Sequence, residues 1–96
     1  PSRVFPTPLP SQLLDAEGHA VGVDEDDLLT APPVRLRVGD LTLPDSVREW
    51  SLPWAMRERW WQGTPTRFRL QLQLAGGDAW LLFHESEQWF AEGRYD

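Results

Sequence analysis

Hydrophobic and polar residues alternate most regularly in the C-terminal third of the chain. Apolar and polar side chains there take turns at successive positions, with Phe68, Leu70, Leu72 and Leu74 set against Arg67, Arg69, Gln71 and Gln73. A period of two is typical of a strand with one buried face, and a slip of one residue would exchange the two faces. The pattern therefore predicts a strand with its leucines in the core.

Two further segments complete a meander with this strand. The sequence Ala75-Gly76-Gly77-Asp78 supplies glycines that can adopt the positive φ angles of a tight hairpin. Trp80–His84 then returns, Glu85-Ser86-Glu87 turns the chain again, and Gln88–Tyr95 forms the last strand. We therefore expect an antiparallel, three-stranded C-terminal meander.

The N-terminal part of the chain is predicted from its turn residues. Four prolines lie within residues 1–10, which favours an extended tether. Gln12–Asp15 and Ala20–Val23 flank Ala16-Glu17-Gly18-His19, which has the composition of a hairpin turn. We accordingly divide the chain into a proline-rich tether at 1–10 and a single β-rich interaction domain at 11–96.

The middle of the chain adds short strands. Residues 24–33 have the composition of a loop, and residues 34–38 then alternate apolar side chains with arginine before Gly39-Asp40 turns the chain into 41–43. Val47–Ser51 is expected to be a strand. Because Pro53 interrupts any helix, Trp54–Trp61 is expected to be an irregular or strand-like crossing, with a short helical turn at Ala55–Arg59 as the alternative.

These elements predict an all-β fold. The 96 residues are enough for one domain with one modest core. About six to eight short antiparallel strands can curl into a small antiparallel barrel or form a two-sheet sandwich. The sequence does not separate these two architectures.

The charge of the chain bears on its partners. The formal net charge is −6, and the first 30 residues carry six acidic side chains against Arg3 alone. Binding to nucleic acid depends on neutralising phosphates, so we expect weak or no direct nucleic-acid binding. The acidic run at 24–27 has the composition of a solvated loop.

Little material for catalysis is present. The chain has no cysteine and only two histidines, His19 and His84, neither at a recognised spacing from a serine or a carboxylate. We expect no enzyme activity, no catalytic residue, no metal and no cofactor.

The lack of cysteine fits a cytoplasmic location, and no apolar run is long enough to span a membrane. Because the first residue is Pro1, we expect the chain to be part of a longer protein.

The candidate partner-binding site is a cluster of aromatic and basic side chains. It comprises Trp54, Arg57, Arg59, Trp60 and Trp61. Tryptophan and arginine are enriched at interaction hot spots, and consecutive residues of an extended segment point to opposite faces. Either both rings of Trp60 and Trp61 cover a two-sided core, or one of them forms a docking surface.

Residues 45–96 resemble the C-terminal end of the ImuB family. The resemblance is carried by Trp50-Ser51-Leu52-Pro53-Trp54, Glu58-Arg59-Trp60-Trp61, Arg67-Phe68-Arg69-Leu70-Gln71, Ala79-Trp80-Leu81-Leu82 and Trp89-Phe90-Ala91-Glu92-Gly93-Arg94-Tyr95-Asp96. The stretches 13–18 and 31–35 resemble what precedes that end in the family. ImuB proteins are similar to Y-family translesion polymerases, generally lack their catalytic carboxylates, and act as adaptors in bacterial SOS mutagenesis.

The resemblance implies a function in DNA-damage tolerance. Family members bring together an ImuA-type RecA-like protein, an error-prone C-family DNA polymerase and the sliding clamp, and their C-terminal region is associated with partner contacts. We therefore expect a non-catalytic protein–protein interaction domain of an adaptor that assembles a translesion synthesis complex, or mutasome. The alternative is a single-stranded nucleic-acid-binding β-barrel that uses exposed aromatics and the Arg67, Arg69, Gln71 and Gln73 face. Which partner binds, and whether the domain self-associates, the sequence leaves open.

Overall fold

The computed structural model describes residues 2–56, 63 and 65–95. All of the helices and strands assigned in these residues are β-strands, and none is a helix. The strands are β1 Ser2–Leu14, β2 Ala20–Val21, β3 Arg35–Val38, β4 Leu41–Thr42, β5 Val47–Trp50, β6 Trp54–Met56, β7 Arg67–Leu74, β8 Ala79–Glu85 and β9 Gln88–Tyr95. All of their pairings are antiparallel. The expected all-β fold is confirmed.

The strands form one curled sheet. Their order is β4-β3-β1-β9-β8-β7-β5, with β2 paired to β1 and β6 paired to β7. The backbone N–H of Val47 in β5 donates a 2.8 Å hydrogen bond to the carbonyl of Val34, just before β3. β5 and β3 lie towards opposite ends of the strand order, so the sheet must curl to bring them within hydrogen-bonding distance. The curled sheet forms a half-barrel, consistent with a small barrel or a sandwich.

The C-terminal meander forms in the expected register. Leu70 pairs with Leu82 and Leu72 pairs with Trp80, so their side chains share the inner face. The hairpin between β7 and β8 uses Gly77 at a φ of 103°, a conformation that glycine adopts without a steric penalty. The alternation in the sequence thus sets both the strand and its buried face.

The core lies inside the curl of the sheet. Its buried residues come from β1, β2, β3 and the meander: Leu13, Val21, Leu36, Leu70, Leu72, Leu74, Trp80, Leu82, Trp89 and Ala91. The indole N–H of Trp89 donates a 2.8 Å hydrogen bond to the carbonyl of Val21. This bond ties the β1–β2 hairpin to the meander, because a buried indole N–H is costly without an acceptor.

The shorter hairpins also form where they were expected. Leu13 pairs with Val21 across the turn at 15–19, and Val38 pairs with Leu41 across Gly39-Asp40. β5 covers most of the strand expected at 47–51. Ala55 and Met56 are extended in β6, so the described part of the expected crossing is strand-like rather than helical.

The N-terminal segment lies differently from the tether expected at 1–10. Ser2–Val4 pair with Gly93–Tyr95, and Leu9–Ser11 pair with Trp89–Ala91, so this segment is a strand of the sheet. The pairing is interrupted between Val4 and Leu9. That interval contains Pro6 and Pro8, which have no N–H to donate. The prolines therefore interrupt the ladder without detaching the strand.

Candidate functional site

One member of the predicted partner-binding cluster lies within the described residues. Trp54 opens β6 and is 38% exposed. The other four, Arg57, Arg59, Trp60 and Trp61, lie outside the residues that the structure describes. The site is therefore built here from Trp54 and the side chains beside it.

Trp54 stands at the end of a row of side chains on the outer face of the sheet. Trp54 pairs with Arg69, Arg69 with Phe83, and Phe83 with Phe90. Directly paired residues of antiparallel strands point to the same face, so we call Trp54, Arg69, Phe83 and Phe90 the outer row. The rings of Phe83 and Phe90 are stacked, with centroids 5.0 Å apart and planes inclined by 23°. Four strands thus contribute to one aromatic and cationic surface.

The arginines beside the outer row are already paired with carboxylates. Arg67 lies 3.3 Å from a Glu85 oxygen, and Arg69 Nε lies 3.2 Å from a Glu92 oxygen. The Arg67 guanidinium also sits 4.1 Å from the centroid of the Phe83 ring, which is 4% exposed. The two carboxylates neutralise the positive charge of Arg67 and Arg69, and the nucleic-acid alternative requires that charge on this face.

Phe83 and Phe90 are members of the outer row that the predicted site did not include. The prediction assigned a buried face only to the strand at 67–74 and placed neither ring, whereas the outer face carries both. The signal was present in the sequence, because Trp80–Phe83 is an uninterrupted apolar run. A strand that is apolar at every position is typical of a strand covered on both faces.

The two histidines lie in different surroundings. His84 contacts Trp89 edge-on, with ring centroids 4.7 Å apart, and lines a cleft of about 320 Å³ between β2 and the β8–β9 turn. Burial lowers the pKa of His84, and the Glu87 carboxylate opposes this effect. His19 is exposed in its turn, 3.6 Å from a Glu17 oxygen. Neither histidine is placed against a nucleophile by any contact seen here.

The described residues contain neither a group of potential metal ligands nor a membrane-spanning helix. Within 2–56, 63 and 65–95, no three histidine, aspartate or glutamate side chains are grouped as a metal site would require. The same part of the chain contains no helix that is long and apolar enough to cross a membrane.

Comparisons of the chain with protein-family models, with curated proteins and with solved structures find no match. The fold and the outer row therefore come without a relative whose activity could be transferred.

Proposed function

We propose that this chain is a non-catalytic protein–protein interaction domain of an ImuB-like adaptor, which assembles an error-prone translesion synthesis complex after DNA damage. The observation that carries the proposal is Trp54, a large ring 38% exposed beside an outer row of arginine and phenylalanine. Partly exposed tryptophan next to arginine is the composition of an interaction hot spot. The resemblance of residues 45–96 to the end of the ImuB family supplies the cellular process.

The resemblance also names the partners to test. They are an ImuA-type RecA-like protein and an error-prone C-family DNA polymerase, both cytoplasmic. The paired state of Arg67 and Arg69 supports a protein partner over nucleic acid, since phosphates would have to displace Glu85 and Glu92. The proposed binding of either partner needs no metal and no cofactor.

A pull-down with purified partners tests the proposal. The chain is immobilised and offered the ImuA-type protein and the C-family polymerase separately. Truncating a central tryptophan anchor commonly weakens a complex by about 2 kcal/mol or more, so Trp54→Ala should reduce capture strongly. Tyr95→Ala is the matched control, because Tyr95 is 37% exposed but pairs with Ala79, away from the outer row. Failure of the unaltered chain to capture either partner would refute the proposal.

The remaining predicted cluster residues are tested in the same assay. Trp60 and Trp61 point to opposite faces if their segment is extended. We expect one of Trp60→Ala and Trp61→Ala to unfold the domain and the other to fold normally but lose partner binding. Circular dichroism separates loss of fold from loss of binding. Unfolding of both variants would assign both rings to the core.

Nucleic acid is the competing ligand and has its own test. A fluorescent single-stranded oligonucleotide is titrated with the chain at two salt concentrations. We expect at most weak, salt-sensitive binding, because the chain carries a net charge of −6. Submicromolar binding at physiological salt would favour the single-stranded nucleic-acid-binding alternative instead.

A further inference from the structure

The loop between β2 and β3 is held in one conformation by its own hydrogen bonds. The Asp24 carboxylate accepts bonds from the N–H groups of Asp26 at 2.8 Å and Leu28 at 3.0 Å. The Asp24 N–H donates to the carbonyl of Leu28 at 2.7 Å, and the Thr30 N–H donates to that of Gly22 at 3.0 Å. The acidic run therefore belongs to an ordered, preorganised loop.

This loop sends two neighbouring leucines in opposite directions. Leu29 packs against the hydrophobic core, whereas Leu28 is 46% exposed. Because Val23 and Leu29 form a β-bridge, Leu28 cannot turn inward without breaking the bridge. The fold thus keeps a large apolar side chain in water at a fixed place.

A second set of exposed apolar side chains faces Leu28 across a groove. Trp50 is 41% exposed and Leu52 is 72% exposed, and both line a groove of about 300 Å³ together with Leu28. The rest of the wall is small or apolar: Leu29, Thr30, Ala31, Pro32 and Pro53. We call this feature the leucine groove. Three large, partly exposed apolar side chains that line one groove make it a candidate interaction site.

The wall opposite the loop is also fixed. The Ser51 N–H donates to the Gln71 carbonyl at 2.9 Å, and the Gln71 N–H donates to the Ser51 hydroxyl at 3.0 Å. These two bonds lie between Trp50 and Leu52 and tie that stretch to β7. With both walls anchored, a ligand would bind without first ordering the groove, which favours affinity.

The charge around the leucine groove selects the ligand. Glu25 and Asp26 are exposed on the loop that ends at Leu28, while Asp24 is used to fold that loop. β5 adds Arg48 and Glu49, which cancel. Glu25 and Asp26 are thus exposed within three residues of Leu28, and an apolar ligand flanked by positive charges complements this acidic loop.

We propose that the leucine groove binds a short apolar segment flanked by lysine or arginine, contributed by a protein partner. The inference rests on the proposed function in taking the domain to be an interaction module. It adds a second surface, apart from the outer row, and the chemistry of the partner segment. The six acidic side chains among the first 30 residues, against Arg3 alone, make this end of the chain the acidic one.

Nuclear magnetic resonance with synthetic peptides tests the groove directly. The ¹⁵N-labelled chain is titrated with three peptides: a Leu-Phe-Leu core flanked by lysines, the same core flanked by glutamates, and a Ser-Ser-Ser core flanked by lysines. We expect shifts confined to Leu28, Leu52 and the Trp50 indole, with the first peptide binding at least about tenfold more tightly than the others. Shifts elsewhere, or equal binding of the three peptides, would overturn the proposal.

Paired variants separate the groove from general stickiness. Leu28→Ser with Leu52→Ser should abolish binding of the lysine-flanked peptide, whereas Leu41→Ser should not, because Leu41 is 63% exposed but lies on β4. Glu25→Lys with Asp26→Lys should weaken binding, with Glu17→Lys as the control on another turn. Equal losses in control and groove variants would overturn the proposal.

The same variants distinguish this inference from the proposed function. In the partner pull-down, loss of capture with Leu28→Ser and Leu52→Ser supports a partner segment in the groove. Capture that depends on Trp54 but not on the groove leucines leaves the proposed function standing and refutes the groove. Size-exclusion chromatography tests whether a second copy of this chain occupies the groove instead. A dimer that the Leu28→Ser and Leu52→Ser variant no longer forms would assign the groove to that second copy and overturn the proposal.

Discussion

The meander β7–β9 and the segment from β5 to β6 lie side by side in one sheet. The meander buries its leucines in the core, whereas the segment leaves large apolar side chains exposed. In β7, Leu70 and Leu72 are 0% and 1% exposed. In the adjoining segment, Leu52 and Trp54 are 72% and 38% exposed. β5 and β6 pair with β7 just as β8 does, so strand pairing alone does not explain the difference.

What differs is the position of each strand in the curl. β7 and β8 each have paired neighbours on both sides, and their inner faces meet the core. β5 lies at the end of the strand order, and Leu52, between β5 and β6, is exposed. Apolar side chains there gain little burial from folding, which leaves them available to a partner. The position of a strand in the curl thus decides whether its large apolar side chains add to the core.

The largest effect is expected in the meander, from Leu72→Ala. Leu72 is fully buried, so the substitution removes buried methyl groups and leaves a cavity, at a cost of about 2–5 kcal/mol in the free energy of unfolding. Urea denaturation measures the change. Gln71→Ala, on the outer face of the same strand, is the control and should cost little. A Leu72 variant as stable as the Gln71 variant would invert the assigned register.

A smaller effect is expected where β9 meets the N-terminal strand, from Gly93→Ala. A Cβ at this position would lie 3.0 Å from the backbone oxygen of Arg3, which cannot rotate away. The resulting overpacking should cost about 1–3 kcal/mol and loosen Ser2–Val4 from the sheet, as thermal melting and amide hydrogen exchange would record. At Gly76 the nearest atoms belong to the Asp45 carboxylate, a movable group, so Gly76→Ala is the control. Unchanged exchange at Arg3 and Val4 would contradict the close approach.

The sequence predicted the elements whose signals are local. The alternation at 67–74, the glycines at 76–77 and the Gly39-Asp40 turn each define a strand or a hairpin within a few residues, and each forms as expected. The N-terminal segment was expected to be a tether because four prolines lie within residues 1–10. It pairs instead with the distant strand β9, where Gly93 lies close to the backbone of Arg3 and Val4.

The candidate site was predictable only in part for the same reason. Trp54 stands out by residue type, and an irregular or strand-like conformation was expected there. The remainder of the outer row depends on the registers of four strands, which the pattern within a single segment does not give. The leucine groove brings Leu28 beside Leu52 through two loops that are distant in sequence. No local period encodes such a contact.

The pH dependence of stability tests how firmly His84 is held in the meander. Burial depresses its pKa below 6.5, so the unfolded state binds a proton more readily than the folded state. The contribution of His84 is therefore present above pH 6.5 and is lost as the pH falls towards the lowered folded pKa. We expect thermal melts of the unaltered chain to show a steeper loss of stability below that pH than melts of His84→Gln.

His19→Gln is the control for this measurement. His19 is exposed in the turn at 15–19, so its replacement should leave the pH profile close to that of the unaltered chain. Acidic side chains contribute equally to all three proteins and cancel in the comparison. Profiles of the unaltered chain and His84→Gln that run parallel throughout would contradict a partly buried His84 imidazole with a lowered pKa.

The smallest effect is expected from Leu52→Ala, the same substitution as at Leu72 but on the exposed segment. Leu52 is 72% exposed, so little apolar area returns to water when its side chain is shortened. The free energy of unfolding should change by no more than about 0.5 kcal/mol in urea denaturation, as at other surface positions. A loss comparable to that of Leu72→Ala would place Leu52 in the core and remove one wall of the leucine groove. An unchanged stability, combined with weaker binding of the lysine-flanked peptide, would separate contact from stability at a single side chain.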